Sequence, residues 1–145
     1  GWITTAFKED SYIGRFEQSV AEFLRYGHPV AVQSGTAALH LALRLCGVGK
    51  GDVVFCSDLT FTASANPIRY LGAEPIFIDS EPVSNNMDPD SLEMAFESGV
   101  MPKAVVVVHV YGMPADMERI MEICNRFGVP VIEDSAESLG SMETR

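Results

Sequence analysis

The sequence predicts an α/β protein whose open, mostly parallel sheet carries helices on both faces. Strand-like apolar runs alternate with helix-like stretches along the 145 residues, and glycines separate the elements. Several runs are continuously apolar, most plainly the four valines at 105–108. Continuous apolar strands are typical of a sheet that is buried on both faces, whereas a half-exposed strand alternates apolar with polar residues.

The elements follow in order. Apolar residues at helical spacing predict an amphipathic helix at 14–26, which Gly27 and Pro29 end. A strand at 29–33 then leads through Ser-Gly-Thr into a helix at 36–46 that is rich in Ala and Leu. The remaining predicted elements are strands at 52–56, 75–79, 104–109 and 129–133, and helices at 62–70, 89–97 and 115–127.

Start signals mark two of the later helices. Asp88 before Pro89 places a capping side chain ahead of a proline, which a helix tolerates in its first turn. The run Pro114, Ala115, Asp116 opens the long amphipathic helix at 115–127 in a similar way. The later strands are short runs rich in Val and Ile between these helices, which is the pattern of repeated βα units.

Composition narrows the class of protein. Hydrophobic residues make up 47% of the chain, which is enough for a sizeable core, and we expect residues 1–145 to form part of one large domain without an internal boundary. No apolar run reaches the roughly 20 residues of a membrane span, and no signal peptide precedes the first helix, so we expect a cytoplasmic protein.

The net charge of −10, with scattered basic residues, disfavours nucleic acid as a partner. The three cysteines lack metal-ligand spacing, and we expect buried thiols and no metal site.

The ends of the predicted strands carry the candidate functional residues, because ligands of open α/β sheets bind at the carboxyl edge. At Ser34-Gly35-Thr36 a strand passes directly into a helix, and the free N–H groups of a helix start can hold a phosphate. Alternatively, Ser34 or Thr36 simply caps the helix and Gly35 relieves a tight turn. The sequence contains no GxGxxG or P-loop motif, which argues against a dinucleotide or P-loop nucleotide site.

Three further residues at strand ends have two interpretations each. Asp134 follows a buried strand, and it either caps a following helix or bonds loop amides, or it pairs with a cationic nitrogen such as a protonated pyridine. Phe61 either fills the core, which is the commoner use of an aromatic residue, or stacks on a flat ligand. His109 is more often a satisfied buried imidazole than a catalyst.

Five ordered segments resemble the amino-terminal half of the DegT/StrS-type sugar-nucleotide aminotransferases, fold-type I enzymes that use pyridoxal 5′-phosphate. The start of the chain, Trp2 to Thr5, and the first helix resemble that family as well. The segments are SGTAALHLAL at 34–43, DLTFTASANPI at 58–68, NMDP at 86–89, VHVYG at 108–112 and IEDSAESLG at 132–140.

The resemblance implies a role for each matching residue. It places the cofactor phosphate on the helix start at Gly35, Thr36 and Ala37, stacks Phe61 on the pyridine ring and pairs Asp134 with the ring nitrogen. A carboxylate beside that nitrogen raises the nitrogen's pKa, so the ring stays protonated and accepts electrons from the substrate.

Two features depart from the family pattern. The resemblance places Glu137 near the phenolic oxygen of the cofactor, where relatives often carry Gln or His. An ionised carboxylate cannot donate a hydrogen bond there, so Glu137 must be protonated, turned away or bridged by water. The family also binds its cofactor on a lysine well downstream of Asp134, whereas Lys8, Lys50 and Lys103 lie in other elements and read as surface charges. No catalytic residue is therefore expected in this chain, which we interpret as part of a longer enzyme.

For that enzyme the resemblance implies amino transfer from a donor such as glutamate to a nucleotide-linked keto-deoxysugar, in a homodimer. Two alternatives stay open at this stage. One is a pyridoxamine phosphate-dependent sugar dehydratase of the same family. The other is a non-catalytic α/β module that binds a phosphorylated ligand.

Overall fold

The computed structural model describes residues 11–25 and 27–141, which fall into two compact units, one up to residue 33 and one from residue 34 onward. The segment Trp2 to Thr5 and the side chain of Lys8, considered above, lie outside these residues. None of the described helices combines the length and the apolar character that crossing a membrane requires.

The described part of the first unit contains one helix, α1, Tyr12–Leu24, followed by a segment without helix or strand. Ser11 caps α1 by accepting a hydrogen bond from the backbone N–H of Gly14 at 3.0 Å. The strand predicted at 29–33 does not form. The N–H of Ala31 donates instead to a carboxylate oxygen of Glu17 on α1, at 2.7 Å, and Val30 is 69% exposed. An extended apolar segment becomes a strand only where a neighbouring strand accepts its backbone hydrogen bonds.

The second unit alternates helices and strands. Its elements are α2 Gly35–Leu45, β1 Val53–Ser57, α3 Thr62–Tyr70, β2 Glu74–Ile78, α4 Pro89–Glu97, β3 Ala104–Val108, a 3₁₀ turn Val110–Gly112, α5 Met117–Phe127 and β4 Val131–Asp134. These positions agree with the predicted elements to within two residues at each end. The four strands pair in the order β2-β1-β3-β4, and every pairing is parallel.

Alternate residues of the strands point to opposite faces of the sheet, and each face has its own core. On one face, Phe55 and Val105 pack with side chains of α4 and α5, including Phe96, whose ring meets Phe55 edge-on at 5.2 Å between centroids. On the other face, Cys56 and Val106 pack with side chains of α2 and α3. The predicted class, an open parallel sheet between two helical layers, is confirmed.

Two of the three thiols, Cys56 and Cys124, are buried as expected, whereas Cys46 is only partly buried. Burial raises the pKa of Cys56 to about 12, with the nearby charge of Asp134 adding to the shift, and it raises that of Cys124 to about 11. Burial raises the pKa of the partly exposed Cys46 as well. All three thiols therefore stay protonated at neutral pH.

Candidate functional site

The start of α2 presents unpaired backbone donors. Ser34 caps the helix by accepting a hydrogen bond from the N–H of Ala37 at 3.2 Å, so both sequence interpretations of this turn hold in part. The N–H groups of Gly35 and Thr36 meet no acceptor among the described residues. A Cβ placed on Gly35 would contact no atom within 4 Å, so the approach to these donors is open. The helix start can therefore receive an anion through two N–H groups and the helix dipole.

The start of α2 and the end of β4 lie toward the same edge of the sheet. Leu39 of α2 and Ile132 of β4 belong to one core cluster. From Leu39 back to Gly35 the helix advances about 6 Å, and from Ile132 to Asp134 the strand advances about 7 Å. Both advances point to the carboxyl edge, because α2 ends where the chain turns into the amino end of β1.

The Asp134 carboxylate is held by two donors. The hydroxyl of Ser64 on α3 donates to Oδ2 at 3.0 Å, and the N–H of Ala136 donates to Oδ1 at 3.2 Å. Ser64 is 1% exposed, and its Oγ accepts in turn from the hydroxyl of Thr60 at 2.8 Å. The loop-amide interpretation of Asp134 is thus correct for one oxygen. The buried hydroxyl of Ser64 fixes the orientation of the other oxygen, Oδ2. The carboxylate itself is only half-buried.

Phe61 stands at the start of α3, three residues before Ser64, and 78% of it is exposed. The core interpretation of this residue, which sequence statistics favoured, is therefore wrong. Its ring gains little from packing within the described fold, although large aromatic side chains usually bury most of their surface. The ring is exposed at the start of α3, the helix whose Ser64 bonds Asp134.

Glu137 points toward the turn after β3. One of its carboxylate oxygens accepts a hydrogen bond from the backbone N–H of Tyr111 at 2.7 Å. The sequence left three possibilities for Glu137, namely a protonated carboxyl, one that is turned away and one that is bridged by water. This contact corresponds to the second, a carboxylate turned toward another partner. Nothing in the sequence indicated that partner, because 26 residues separate the two positions.

His109 is a satisfied buried imidazole, as the sequence suggested. Its Nδ1 accepts from the N–H of Ala115 at 3.0 Å, which leaves Nε2 as the donor to Glu133 at 3.2 Å. That hydrogen bond lowers the pKa of Glu133 below its ordinary value of 4.5. Both ring nitrogens are occupied within the fold, so His109 is not free for proton transfer to a ligand.

The described lysines lie away from this edge. Lys103 precedes β3, where its backbone N–H bonds to the carbonyl of Val53, at the amino ends of both strands. Lys50 lies in the turn before β1, against Gly72. Neither can reach Asp134, which agrees with their interpretation as surface charges.

A shallow cavity of about 390 Å³ continues from the helix start along the outer side of α2. It reaches past His40 to Arg44, and Tyr70 of α3 forms its far wall. Within the described residues, no three His, Cys, Asp or Glu side chains are placed to hold a metal ion.

Comparison with known proteins gives this arrangement a family. The model of the DegT/DnrJ/EryC1/StrS aminotransferase family matches residues 1–144. EpsN of Bacillus subtilis strain 168, described as a candidate pyridoxal phosphate-dependent aminotransferase, is 52% identical over 97% of this chain and 39% of its own length. The GDP-perosamine synthase of Caulobacter vibrioides is 39% identical over 97% of this chain and 36% of its own length.

A solved structure agrees in fold as well as in sequence. The crystal structure of NtdA from Bacillus subtilis with bound pyridoxamine phosphate (PMP) is 32% identical, with a TM-score of 0.83. The match covers 92% of this chain and 30% of that one, so the chain spans between 30% and 39% of the length of these three relatives. The chain belongs to the DegT/DnrJ/EryC1/StrS aminotransferase family.

Proposed function

We propose that this chain is the amino-terminal, cofactor-binding part of a pyridoxal phosphate-dependent sugar aminotransferase. The complete enzyme would move an amino group, with glutamate as the donor, onto the keto group of a nucleotide-linked deoxysugar. The family match and the relatives that act on sugars support the sugar aminotransferase. Glutamate, the nucleotide-linked acceptor and a homodimer rest on the sequence resemblance, and a cytoplasmic location rests on the absence of a membrane-span run and a signal peptide from the given sequence.

One observation carries the proposal: an oriented carboxylate and an open helix start occur at the same edge of the sheet. Asp134 offers a negative charge fixed by the buried Ser64, and the N–H groups of Gly35 and Thr36 offer an anion site. A flat, protonated heterocycle with a phosphate at its far end fits this pair of charges. The exposed ring of Phe61, next to Ser64 on the first turn of α3, supplies an apolar surface for such a heterocycle.

Pyridoxal phosphate supplies an electron-accepting ring and a carbonyl carbon that carries the amino group. The residues of this chain hold that ring and set its charge. Asp134 keeps the ring nitrogen protonated, because an ionised carboxylate stabilises the cationic form of its neighbour. Ser64 donates to Asp134 Oδ2 and so keeps the carboxylate in one orientation. The start of α2 anchors the phosphate through the N–H groups of Gly35 and Thr36. The N–H of Ala37 is already bonded to Ser34, so in our proposal Ala37 contributes through the helix dipole.

Our proposal keeps Glu137 in the site, because the sequence resemblance places it near the phenolic oxygen that the cofactor ring would present. One of its carboxylate oxygens is already occupied within the fold, because it accepts the backbone N–H of Tyr111. An ionised Glu137 can reach a phenolic oxygen only through a bridging water that donates to both. We therefore assign Glu137 a weaker role in cofactor binding than Asp134.

The experiment is a titration of the chain with pyridoxamine 5′-phosphate, followed by calorimetry. This form lacks the aldehyde and so cannot react with Lys50 or Lys103. We expect Asp134→Asn to weaken binding about tenfold, because a charge-assisted hydrogen bond becomes a neutral one. Ser64→Ala should weaken binding less, since it loosens Asp134 without removing its charge.

Asp90→Asn is the matched control, because Asp90 is an exposed carboxylate on α4 that pairs with Arg119. Pyridoxamine without its phosphate tests the helix start separately, and we expect it to bind more weakly than the phosphorylated form. Equal affinities of the wild type and Asp134→Asn for pyridoxamine 5′-phosphate would remove Asp134 from the site.

A further inference from the structure

Tyr111 adopts a backbone conformation that costs free energy. Its φ of 55° and ψ of 28° lie in the left-handed region, and the next residue, Gly112, has a φ of 80°. Glycine occupies this region freely, but a residue with a bulky side chain is disfavoured there. Burial of the ring does not compensate for this cost, because 74% of Tyr111 is exposed.

Two side chains from other elements hold the turn in this conformation. Asn86, which is 2% exposed, accepts from the N–H of Val110 at 2.9 Å and donates to the carbonyl of Met113 at 3.0 Å. Glu137 accepts from the N–H of Tyr111 at 2.7 Å. We call Asn86 and Glu137 the clamp.

The turn is also fixed relative to Asp134. The backbone N–H of His109 donates to the carbonyl of Asp134 at 3.1 Å, and the imidazole of His109 bonds Ala115 beyond the turn. Tyr111 therefore follows the end of β3 by three residues, on the strand adjacent to β4 and its terminal Asp134. Strained residues persist where their surroundings over-determine them, and they cluster at ligand sites.

We propose that Tyr111 is a specificity-determining residue that contacts the sugar acceptor, and that the clamp holds its ring at the site for this purpose. The inference rests on the proposed function. A phenol offers one flat apolar face and one hydroxyl that both donates and accepts, which suits the C–H face and the hydroxyls of a hexose. The proposed cofactor contacts, at Phe61, Asp134 and the start of α2, already account for the ring and the phosphate of the cofactor. Tyr111 is left for the second substrate.

The test compares Tyr111→Asn and Tyr111→Phe in the complete enzyme. Asparagine tolerates the left-handed conformation, so Tyr111→Asn removes the ring without opposing the turn. The donor half-reaction is followed with glutamate alone, by the absorbance of the bound cofactor. The acceptor KM is measured with nucleoside diphosphate-linked 4-keto-6-deoxyhexoses. Tyr12→Phe, an exposed tyrosine of α1, is the control.

We expect Tyr111→Asn to raise the acceptor KM at least tenfold and to leave the donor half-reaction within twofold of the wild type. Its melting temperature should equal or exceed that of the wild type, and Tyr111→Phe should raise the acceptor KM about threefold. An unchanged acceptor KM in Tyr111→Asn overturns the inference, and so does an equal loss in both half-reactions, which would assign Tyr111 to the cofactor.

The proposed function fails through different results. A wild-type enzyme without a donor half-reaction overturns the aminotransferase itself. A wild-type enzyme that completes the donor half-reaction but accepts none of the sugar probes overturns the sugar assignment and the role of Tyr111 with it.

Discussion

Asn86→Ala should destabilise the chain more than any other removal of a single amide side chain. Asn86 makes hydrogen bonds to Val110, Met113 and Ser84, and only 2% of it is exposed. Truncation leaves the buried N–H of Val110 without a partner, which costs roughly 1–3 kcal/mol. The carbonyl of Met113 belongs to a half-exposed residue, so water can replace its lost donor at little cost.

The expected loss is therefore about 2 kcal/mol, a factor of about 30 in the ratio of folded to unfolded protein. For a chain of this size that corresponds to a fall of roughly 6 °C in the melting temperature. Urea unfolding measured by circular dichroism, with the m value compared between variants, gives the free energy directly. Asn86→Asp keeps an acceptor for Val110 but places a charge against the carbonyl of Met113, and it should lose at least as much at pH 7.

Asn125→Ala is the matched control, because Asn125 lies exposed on α5 and its side chain makes no hydrogen bond to a described residue. We expect that variant to change the free energy of unfolding by no more than about 0.5 kcal/mol. If Asn86→Ala and Asn125→Ala lose the same amount, the buried N–H of Val110 has found another partner. The clamp around Tyr111 would then not depend on Asn86.

Two further predictions concern pH and thiol reactivity. The hydrogen bond from His109 lowers the pKa of Glu133 in the folded chain. The contribution of this bond to the stability of the fold is therefore present above about pH 4.5 and is lost as the pH falls through the folded-state pKa of Glu133. The difference in unfolding free energy between the wild type and Glu133→Gln should be at most about 1 kcal/mol at pH 7, because Glu133 is half exposed. This difference should shrink at pH 3.5. A difference that stays constant between the two pH values would contradict the prediction. Iodoacetamide at pH 8 should label the partly exposed Cys46 before Cys56 and Cys124, as peptide mass spectrometry of the native chain can determine. Equal labelling of all three would show that the core opens on the time scale of the reaction.

Much of the fold could be predicted from local patterns. The valine run at 105–108 indicated a strand buried on both faces, and each of its residues is buried in β3. The capping signal at Asp88 and Pro89 marked the start of α4 at the correct residue. The segment at 29–33 shows the limit of such patterns. Its composition suits a strand, but strand formation depends on a partner elsewhere in the chain, which no local window contains.

The candidate site divides in the same way. The helix start at Gly35 and the acidic end of β4 were visible as motifs, because each depends on a few adjacent residues. The exposure of Phe61 was not visible in the sequence, because a single aromatic residue does not indicate which other side chains will cover it. The bond between Glu137 and Tyr111, and the burial of Asn86, join segments that are far apart in the chain.

By itself, the sequence determined the alternation of helices and strands, the burial of the sheet on both faces, and the kinds of side chain at each strand end. These follow from hydrophobic periodicity and capping chemistry, which act over a few residues. Only the tertiary structure decided that Ser64 fixes Asp134, that Phe61 remains outside the core, and that Tyr111 is held in a left-handed turn. The physical reason is that parallel pairing brings the ends of distant strands to one edge, and the hydrogen bonds made there depend on the register of strands and helices.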